Sequence, residues 1–428
     1  MKTLILCDFD GTISKRDVGF EILNHFSKGA WAEIDDDFVS GRIGSPEAYR
    51  RIFGNISISR AELEKYVTDN FEVDPRFPSF LEYARDRGAE VAVVSDGFDF
   101  YIQALMKKGG ISGLKTYSNV MEFALGGSLH LSFPNSSDVC SDCGTCKLDI
   151  LKLLGKHFDR VIYVGDGYSD RCVIGKADII FARRTLLDYC VRKNSDFIYF
   201  DDFGEVLAGA KKNLRHVLFD LDGTLVDSYR AIHESFNHAF LAMGKPLVNM
   251  DWVKRNVGLT LEGMFAGLVP ENDVGEAVKT FRSRYSTIFL DKTTLLPDVK
   301  KSISSLAGKG IKVSVITNKL GKYARDIVDH LGLKPFISEV IGSGDGHDPK
   351  PGPDMILAAV KKSGVGIESS AYVGDSTVDI EAGRNAGMDV YAIPSGSNTR
   401  SDLAALHPRR VLKRLTDLSK PEFIGPIL

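Results

Sequence analysis

Four short motifs occur twice in this chain, in the same order and about 210 residues apart. No other feature constrains the fold as much. DFDGTI, starting at Asp8, returns as DLDGTL at Asp220. VVSDG, at 93–97, has a partner in VITN, at 315–318. Lys147 pairs with Lys350, and GDGYSD from Gly165 returns as GDSTVD from Gly374. A period this long marks a duplicated domain, not a solenoid repeat. With 428 residues and a prior of about 150 per domain, two domains are expected, at 1–213 and 214–428. No Pro- or Gly-rich linker marks the join. Residues 202–214 read as a helix feeding directly into the second copy's first strand, so a short, stiff join is expected.

Most of these motifs close a short apolar run. The runs are 4–8, 91–95 and 161–165 in the first copy, and 217–220, 313–317 and 371–374 in the second. Near-continuous apolar runs suit strands buried on both faces of a parallel sheet. Amphipathic stretches such as 376–386 follow them. The alternation predicts an α/β fold of two tandem, doubly wound, Rossmann-like domains. Each copy also carries a long, mainly helical insertion after its first strand, at about 14–88 and 228–295. Both are expected to be caps over the carboxyl ends of the strands, the edge where open α/β sheets bind ligands.

The chemistry is carried by oxygen. Asp8 and Asp10 stand two apart at a strand end, so both carboxylates can face one pocket if the chain turns there. Gly11 supplies the freedom for the turn, and Thr12 adds a hydroxyl. The later motif brings Asp166 and Asp170; the second copy has Asp220, Asp222, Asp375 and Asp379. Several carboxylates with no nearby His or Cys fit Mg²⁺ better than zinc. The expected metal residues are Asp8, Asp10 and Asp166 in one copy, and Asp220, Asp222 and Asp375 in the other. Asp170 and Asp379 read as further ligands, as outer-sphere partners or as helix caps. Ser95 and Thr317 can donate to a phosphate oxygen, as can Asn318, while Lys147 and Lys350 supply the positive charge a transferring phosphoryl group needs. Asp8 or Asp220 attacks phosphorus. Asp10 or Asp222 protonates the leaving oxygen and later activates water.

The set DxDGT, hydrophobic-Ser/Thr, Lys and GDxxxD resembles the signature of the haloacid dehalogenase superfamily, in both halves. The resemblance implies an aspartyl-phosphate, Mg²⁺-dependent phosphatase. The first half resembles the branch that holds phosphoserine and methionine-salvage phosphatases, and VSDGFDFYI and CGTCK make it similar to the latter. FDLDGTLVDS, VITNK, DPKPGPD and YVGDSTVDIEAGRNAGM make the second half similar to the phosphoglycolate phosphatase branch, which also holds phosphosugar mutases. A phosphoserine phosphatase would have Gly where this chain has Asp96. That Asp is read as contacting a substrate hydroxyl or amine, or as pointing into solvent.

Cys140, Cys143 and Cys146 form C-x₂-C-x₂-C before Lys147. They read as three ligands of a zinc site or, in the favoured reading since no second CxxC exists, as reduced thiols of a loop. His347 reads as a loop residue. Arg255, before a helix of the second cap, reads as solvated rather than as a grip on a substrate carboxylate.

Composition narrows the partners. There are 54 basic and 57 acidic residues, a net charge of -3, and no long basic block. Nucleic acid is therefore not the expected ligand. No apolar run reaches the roughly 18 residues of a membrane helix. The first apolar run turns acidic too soon for a secretion signal. Six cysteines without such a signal point to reduced thiols and a cytoplasmic location. The expected partner is a small phosphorylated metabolite, with one substrate per half. Two alternatives stay open: a phosphosugar mutase in the C-terminal half, or one copy serving as a non-catalytic scaffold.

Overall fold

Residues 3–7 form the strand on which the first half is built. It is buried along its whole length, as a five-residue run of apolar and small side chains permits. The computed structural model describes residues 1–428 except 28–30, 55, 125, 126 and 397. It divides into two units, Met1–Ala210 and Lys211–Ile427. Of the expected first cap, residues 28–30 and 55 lie outside the described residues.

The first unit holds seven strands: β1 (Thr3–Cys7), β2 (Glu90–Phe98), β3 (Lys115–Phe123), β4 (Leu129–Ser132), β5 (Arg160–Gly165), β6 (Ile179–Ala182) and β7 (Ile198–Tyr199). Their order is β4-β3-β2-β1-β5-β6-β7. Every pairing is parallel except β3 with β4. The chain leaves β1 toward β2 on one side and reaches β5 on the other. The carboxyl end of β1 is thus a topological switch point, where a crevice opens.

The second unit repeats this plan. Its strands are β8 (His216–Phe219), β9 (Val226–Asp227), β10 (Thr294–Leu295), β11 (Lys312–Leu320), β12 (Glu339–Ser343), β13 (Ser370–Gly374), β14 (Asp389–Ala392) and β15 (Arg410–Val411). Six form a parallel sheet in the order β12-β11-β8-β13-β14-β15. Alternation along the strands fills two cores. Val217 and Phe219 join one cluster with Val313, Val315 and Val373, while Leu218 joins Ile316, Tyr372 and Met355 on the other face. Each such buried side chain contributes about 1.5–3 kcal/mol, and the polar stretch of β11, Thr317–Lys319, lies at its carboxyl end.

Helices fill both insertions. The first contains Val18–Phe26, Ala32–Val39, Ser45–Phe53 and Arg60–Asn70. It closes where Ser14 bridges Val73. The next helix, Phe77–Asp86, packs on β2, with the Phe77 ring 4.6 Å from that of Phe203. The insertion is therefore shorter than the expected 14–88: this last helix covers the sheet, and an amphipathic pattern alone does not tell which surface it covers. The second insertion contains Tyr229–Ala242, Met250–Asn256, Leu261–Phe265 and Val274–Ile288. Its neck is the antiparallel pair β9–β10. Phe236 packs on Phe265 and Phe281, at 4.4 and 5.0 Å between ring centroids, which gives this cap an apolar centre of its own. Among the described residues no helix is long and apolar enough to cross a membrane.

Candidate active sites

Asp8 is the first residue beyond β1. Its N–H still donates to the Val164 carbonyl at 2.9 Å, so the chain stays paired until the acid and then turns away. Asp220 does the same with Val373, also at 2.9 Å. The turn needs glycine for two reasons. Gly11 has φ +67 and Gly223 φ +90, values that favour residues without a Cβ. A Cβ at 11 would also stand 2.4 Å from Asp166 Oδ2, and one at 223 would stand 2.7 Å from Asp375 Oδ2. The threonines tie this turn to the later motif: Thr12 donates to Asp166 Oδ1 and Thr224 to Asp375 Oδ1, both at 2.8 Å.

Three buried carboxylates meet in each unit: Asp8, Asp166 and Asp170, and Asp220, Asp375 and Asp379. One oxygen from each lies within 4.8 Å of the others. The Lys147 ammonium is 2.9 Å from Asp8 Oδ1 and bonds Asp170 Oδ1. Lys350 is 2.6 Å from Asp220 Oδ1 and 2.6 Å from Asp379 Oδ1. The second group sets three carboxylates against the Lys350 ammonium, and the first sets three against Lys147 and the half-exposed Arg184 guanidinium, 3.0 Å from Asp166 Oδ2. Burial and Asp170 push the Asp8 carboxyl well above the usual range, and Lys147 only partly pulls it back. Burial raises Asp220 too, against Lys350 and with help from Asp379 and Asp375. With Asp8 and Asp220 ionised, both groups keep a net negative charge that a cation can offset. The donors are all hard oxygen, which suits Mg²⁺.

Asp170 and Asp379 have little left to offer a cation. Asp170 Oδ1 accepts from Lys147 and from the Tyr163 hydroxyl at 2.6 Å, and its Oδ2 accepts from the N–H groups of Asp166 and Gly167 at 2.9 and 2.8 Å. Asp379 Oδ1 accepts from Lys350 and Tyr372, and its Oδ2 from the Ser376 N–H and hydroxyl. Four bonds saturate a carboxylate. These residues hold the lysine and the loop around the nucleophile.

The strand beside the nucleophile breaks register in the same place in both units. Pairing shifts between Val94 and Phe98 on β2, and between Thr317 and Leu320 on β11. Such an irregularity re-aims side chains. Ser95 Oγ accepts from the Gly97 N–H at 2.9 Å and lies 3.3 Å from Asp10 Oδ2. Thr317 Oγ1 accepts from the Lys319 N–H at 3.1 Å.

Two expectations change here. Asp96 neither points into solvent nor waits for a substrate amine. It is buried, accepting from the Thr145 N–H at 3.0 Å and from Asn119, and so braces the loop that carries Lys147. Asn318 holds the matching position. Its Oδ1 accepts from the Lys350 N–H at 2.8 Å, and its Nδ2 donates to the carbonyls of Gly258 and Lys350. The side chain expected to contact phosphate has spent two hydrogen bonds on Lys350 and one on Gly258 of the cap insertion.

Asp10 and Asp222 were expected among the metal residues, but their carboxylates do not join the two groups among the described residues. The turn swings them toward the cap. Asp10 Oδ1 accepts from the Val18 and Gly19 N–H groups, at 3.0 and 3.2 Å, at the start of the first cap helix, and its Oδ2 accepts from Tyr101 at 2.6 Å. Burial, with Asp17 close by, pushes its carboxyl up to about 7, and these hydrogen bonds keep it from rising further. Asp222 is held otherwise: Oδ1 accepts from Ser228, and Oδ2 lies 3.0 Å from the Lys319 ammonium. Burial opposes the Lys319 charge, yet Asp222 and Tyr285 together outweigh it and keep the ammonium above its ordinary range.

Several of these partners escaped sequence reasoning. Tyr101 and Lys319 gave no signal beyond standing five and one residues after Asp96 and Asn318. Arg183 donates to the Gly11 carbonyl and Arg184 to Asp166 Oδ2 at 3.0 Å, while Ser395 takes the matching role on Gly223 at 2.7 Å. Both follow a late strand, β6 or β14, but differ in residue type, so no repeat betrays them. Cys143 and Cys146 are buried and Cys140 is exposed; burial pushes the Cys143 thiol up. Among the described residues, the groups of three possible ligands are the two carboxylate sets. His347 and Arg255 are exposed.

Comparison with known proteins fits this geometry. Residues 3–195 match the family described as "Putative Phosphatase", and residues 217–393 match "Haloacid dehalogenase-like hydrolase". The chain is 26% identical over 214 residues to 2-hydroxy-3-keto-5-methylthiopentenyl-1-phosphate phosphatase of Exiguobacterium sp., covering 49% of this chain and 98% of the relative. It is 32% identical over 215 residues to phosphoglycolate phosphatase of Yersinia pestis, covering 48% and 92%. A solved haloacid dehalogenase-like hydrolase from Streptococcus pneumoniae aligns with 48% of this chain and 96% of its own, at 26% identity and a TM-score of 0.46.

Proposed function

The chain belongs to the haloacid dehalogenase-like hydrolases, in both halves, and on that premise we propose a bifunctional phosphomonoesterase with two complete active sites. The observation that carries this reading is the retention in each unit of one buried acid–lysine pair at the end of the central strand, Asp8 with Lys147 and Asp220 with Lys350.

Asp8 or Asp220 attacks phosphorus. A bond forms between its carboxylate oxygen and phosphorus as the bond to the leaving oxygen breaks, and Asp10 or Asp222 gives that oxygen a proton. The same acid then takes a proton from water, which attacks the aspartyl phosphate, releases inorganic phosphate and restores the nucleophile. Lys147 and Lys350 hold positive charge beside the transferred group, and Ser95 and Thr317 lie at the strand ends facing it. Asp8 with Asp166, and Asp220 with Asp375, would hold Mg²⁺, which when bound offsets the charge of nucleophile and phosphate. Asp170 and Asp379 act behind them on the lysines.

The two halves serve different small phosphorylated metabolites. The cores supply the same phosphate chemistry, but their caps and the partners of Asp10 and Asp222 differ. The first half is read as the methionine-salvage type; the second is read as a member of the phosphoglycolate branch by its core motifs, with its leaving group set by its own cap. The test is a panel of phosphate esters assayed with Asp8→Asn and Asp220→Asn separately. Each substitution should remove its own subset of activities. Loss of none by either rejects the nucleophile assignment.

A further inference from the structure

The cavity above Asp220 and Asp222 shows what kind of leaving group the second site accepts. Its cap wall is apolar: Val257, Leu261, Met264 and Phe281 line it, all buried except the half-buried Leu261. Away from the nucleophile, the charged residues lining it are Lys319, Arg282 and Glu262. Lys319 is buried and engaged by Asp222 at 3.0 Å, while Arg282 stands in a solvent-exposed pair with Glu262 at 3.2 Å, whose carboxylate opposes a second anion there. A carboxylate brought into such walls without a partner loses its hydration with nothing in return. A largely apolar body gains from every wall residue. Tyr285 closes the wall beside Lys319: it lines the cavity, is 2% exposed, and its ring centroid lies 4.8 Å from the Lys319 ammonium.

Building on the phosphatase reading of this half, we propose that the second site takes phosphomonoesters with an uncharged, largely apolar leaving group and discriminates against compact carboxylated esters. The apolar cap wall contacts the leaving group, and the Asp222–Lys319 pair stands at the scissile oxygen.

The experiment uses full-length protein carrying Asp8→Asn, so that turnover reports the second site, with the double variant Asp8→Asn, Asp220→Asn as the blank. The probes are benzyl phosphate and phosphoglycolate. Both release an alcohol oxygen, so leaving-group chemistry does not dominate the comparison. The expected result is a kcat/KM at least about tenfold higher for benzyl phosphate, the discrimination one or two apolar contacts supply. Leu261→Arg, on the half-buried part of the wall, should cut that preference at least about tenfold while the melting temperature holds. A preference for phosphoglycolate, or turnover of other esters but neither probe, overturns the inference and leaves the phosphatase reading standing. Absence of Asp220-dependent turnover on any ester overturns both.

Discussion

Lys319 grips Asp222 across 3.0 Å in the second site, at the position where the first site sets the Tyr101 hydroxyl 2.6 Å from Asp10. The same acid–base residue thus works beside a cation in one half and beside a neutral donor and a helix N-terminus in the other. The two halves share a nucleophile geometry and differ at the proton.

The pH dependence of the first site follows from Asp10. Its carboxyl is pushed up to about 7 by burial first and Asp17 second. Protonation of the leaving oxygen needs the acid form, so kcat/KM on first-site substrates should fall as pH rises through about 7. The Tyr101 hydrogen bond favours the ionised form. Tyr101→Phe should therefore move the descending limb upward, by roughly half to one pH unit for one lost hydrogen bond. A pH–rate profile of both proteins checks this, and a downward move contradicts it.

Lys319→Met removes the buried partner of Asp222. It should lower kcat/KM at the second site by about tenfold or more, since a misplaced acid–base group costs up to about 100-fold. First-site turnover should not change. Steady-state kinetics with one substrate per site separates the two effects.

Asp96 should act through the Lys147 loop. Asp96→Ala frees the Thr145 N–H and is expected to depress first-site kcat by about tenfold while lowering stability by about 1–3 kcal/mol. Asp96→Asn keeps an acceptor there, as Asn318 does in the second unit, and should retain most activity. Equal loss in both variants would show that the charge, not the brace, matters.

Asp166→Asn and Asp375→Asn should each raise the Mg²⁺ concentration needed for half-maximal activity in their own half, by about tenfold or more, while Asp170→Asn acts mainly on stability. Removing one partner of a buried ion pair costs about 3–5 kcal/mol. Mg²⁺ titrations of activity alongside thermal melts distinguish these outcomes. A melt unchanged by Asp170→Asn would contradict its assignment to Lys147.

The sequence made the strand-end chemistry legible because phosphoryl transfer demands particular residue types where the chain leaves the sheet. The repeated motifs mark Asp8, Lys147, Asp166 and their partners in the second copy, and the fold brings each set together at one strand end. The braces are not marked in this way. Tyr101 reaches Asp10 from a neighbouring helix, Lys319 reaches Asp222 from within the stretch where β11 breaks register, and Arg183 and Ser395 perform one task with unlike side chains. Asp96 and Asn318 were misread for a related reason. A polar residue beside a catalytic hydroxyl looks like a substrate contact until the loop that it satisfies is seen. The first cap was drawn too long because the helix Phe77–Asp86 is amphipathic whether it covers a cap or a sheet.

The most direct test of two working nucleophiles is chemical trapping. Protein quenched in acid during turnover of a substrate for each half, then reduced with borohydride and digested, should yield modified aspartates in two peptides, one containing Asp8 and one containing Asp220. Modification of a single peptide under both substrates, or of neither while phosphate is released, would contradict the account.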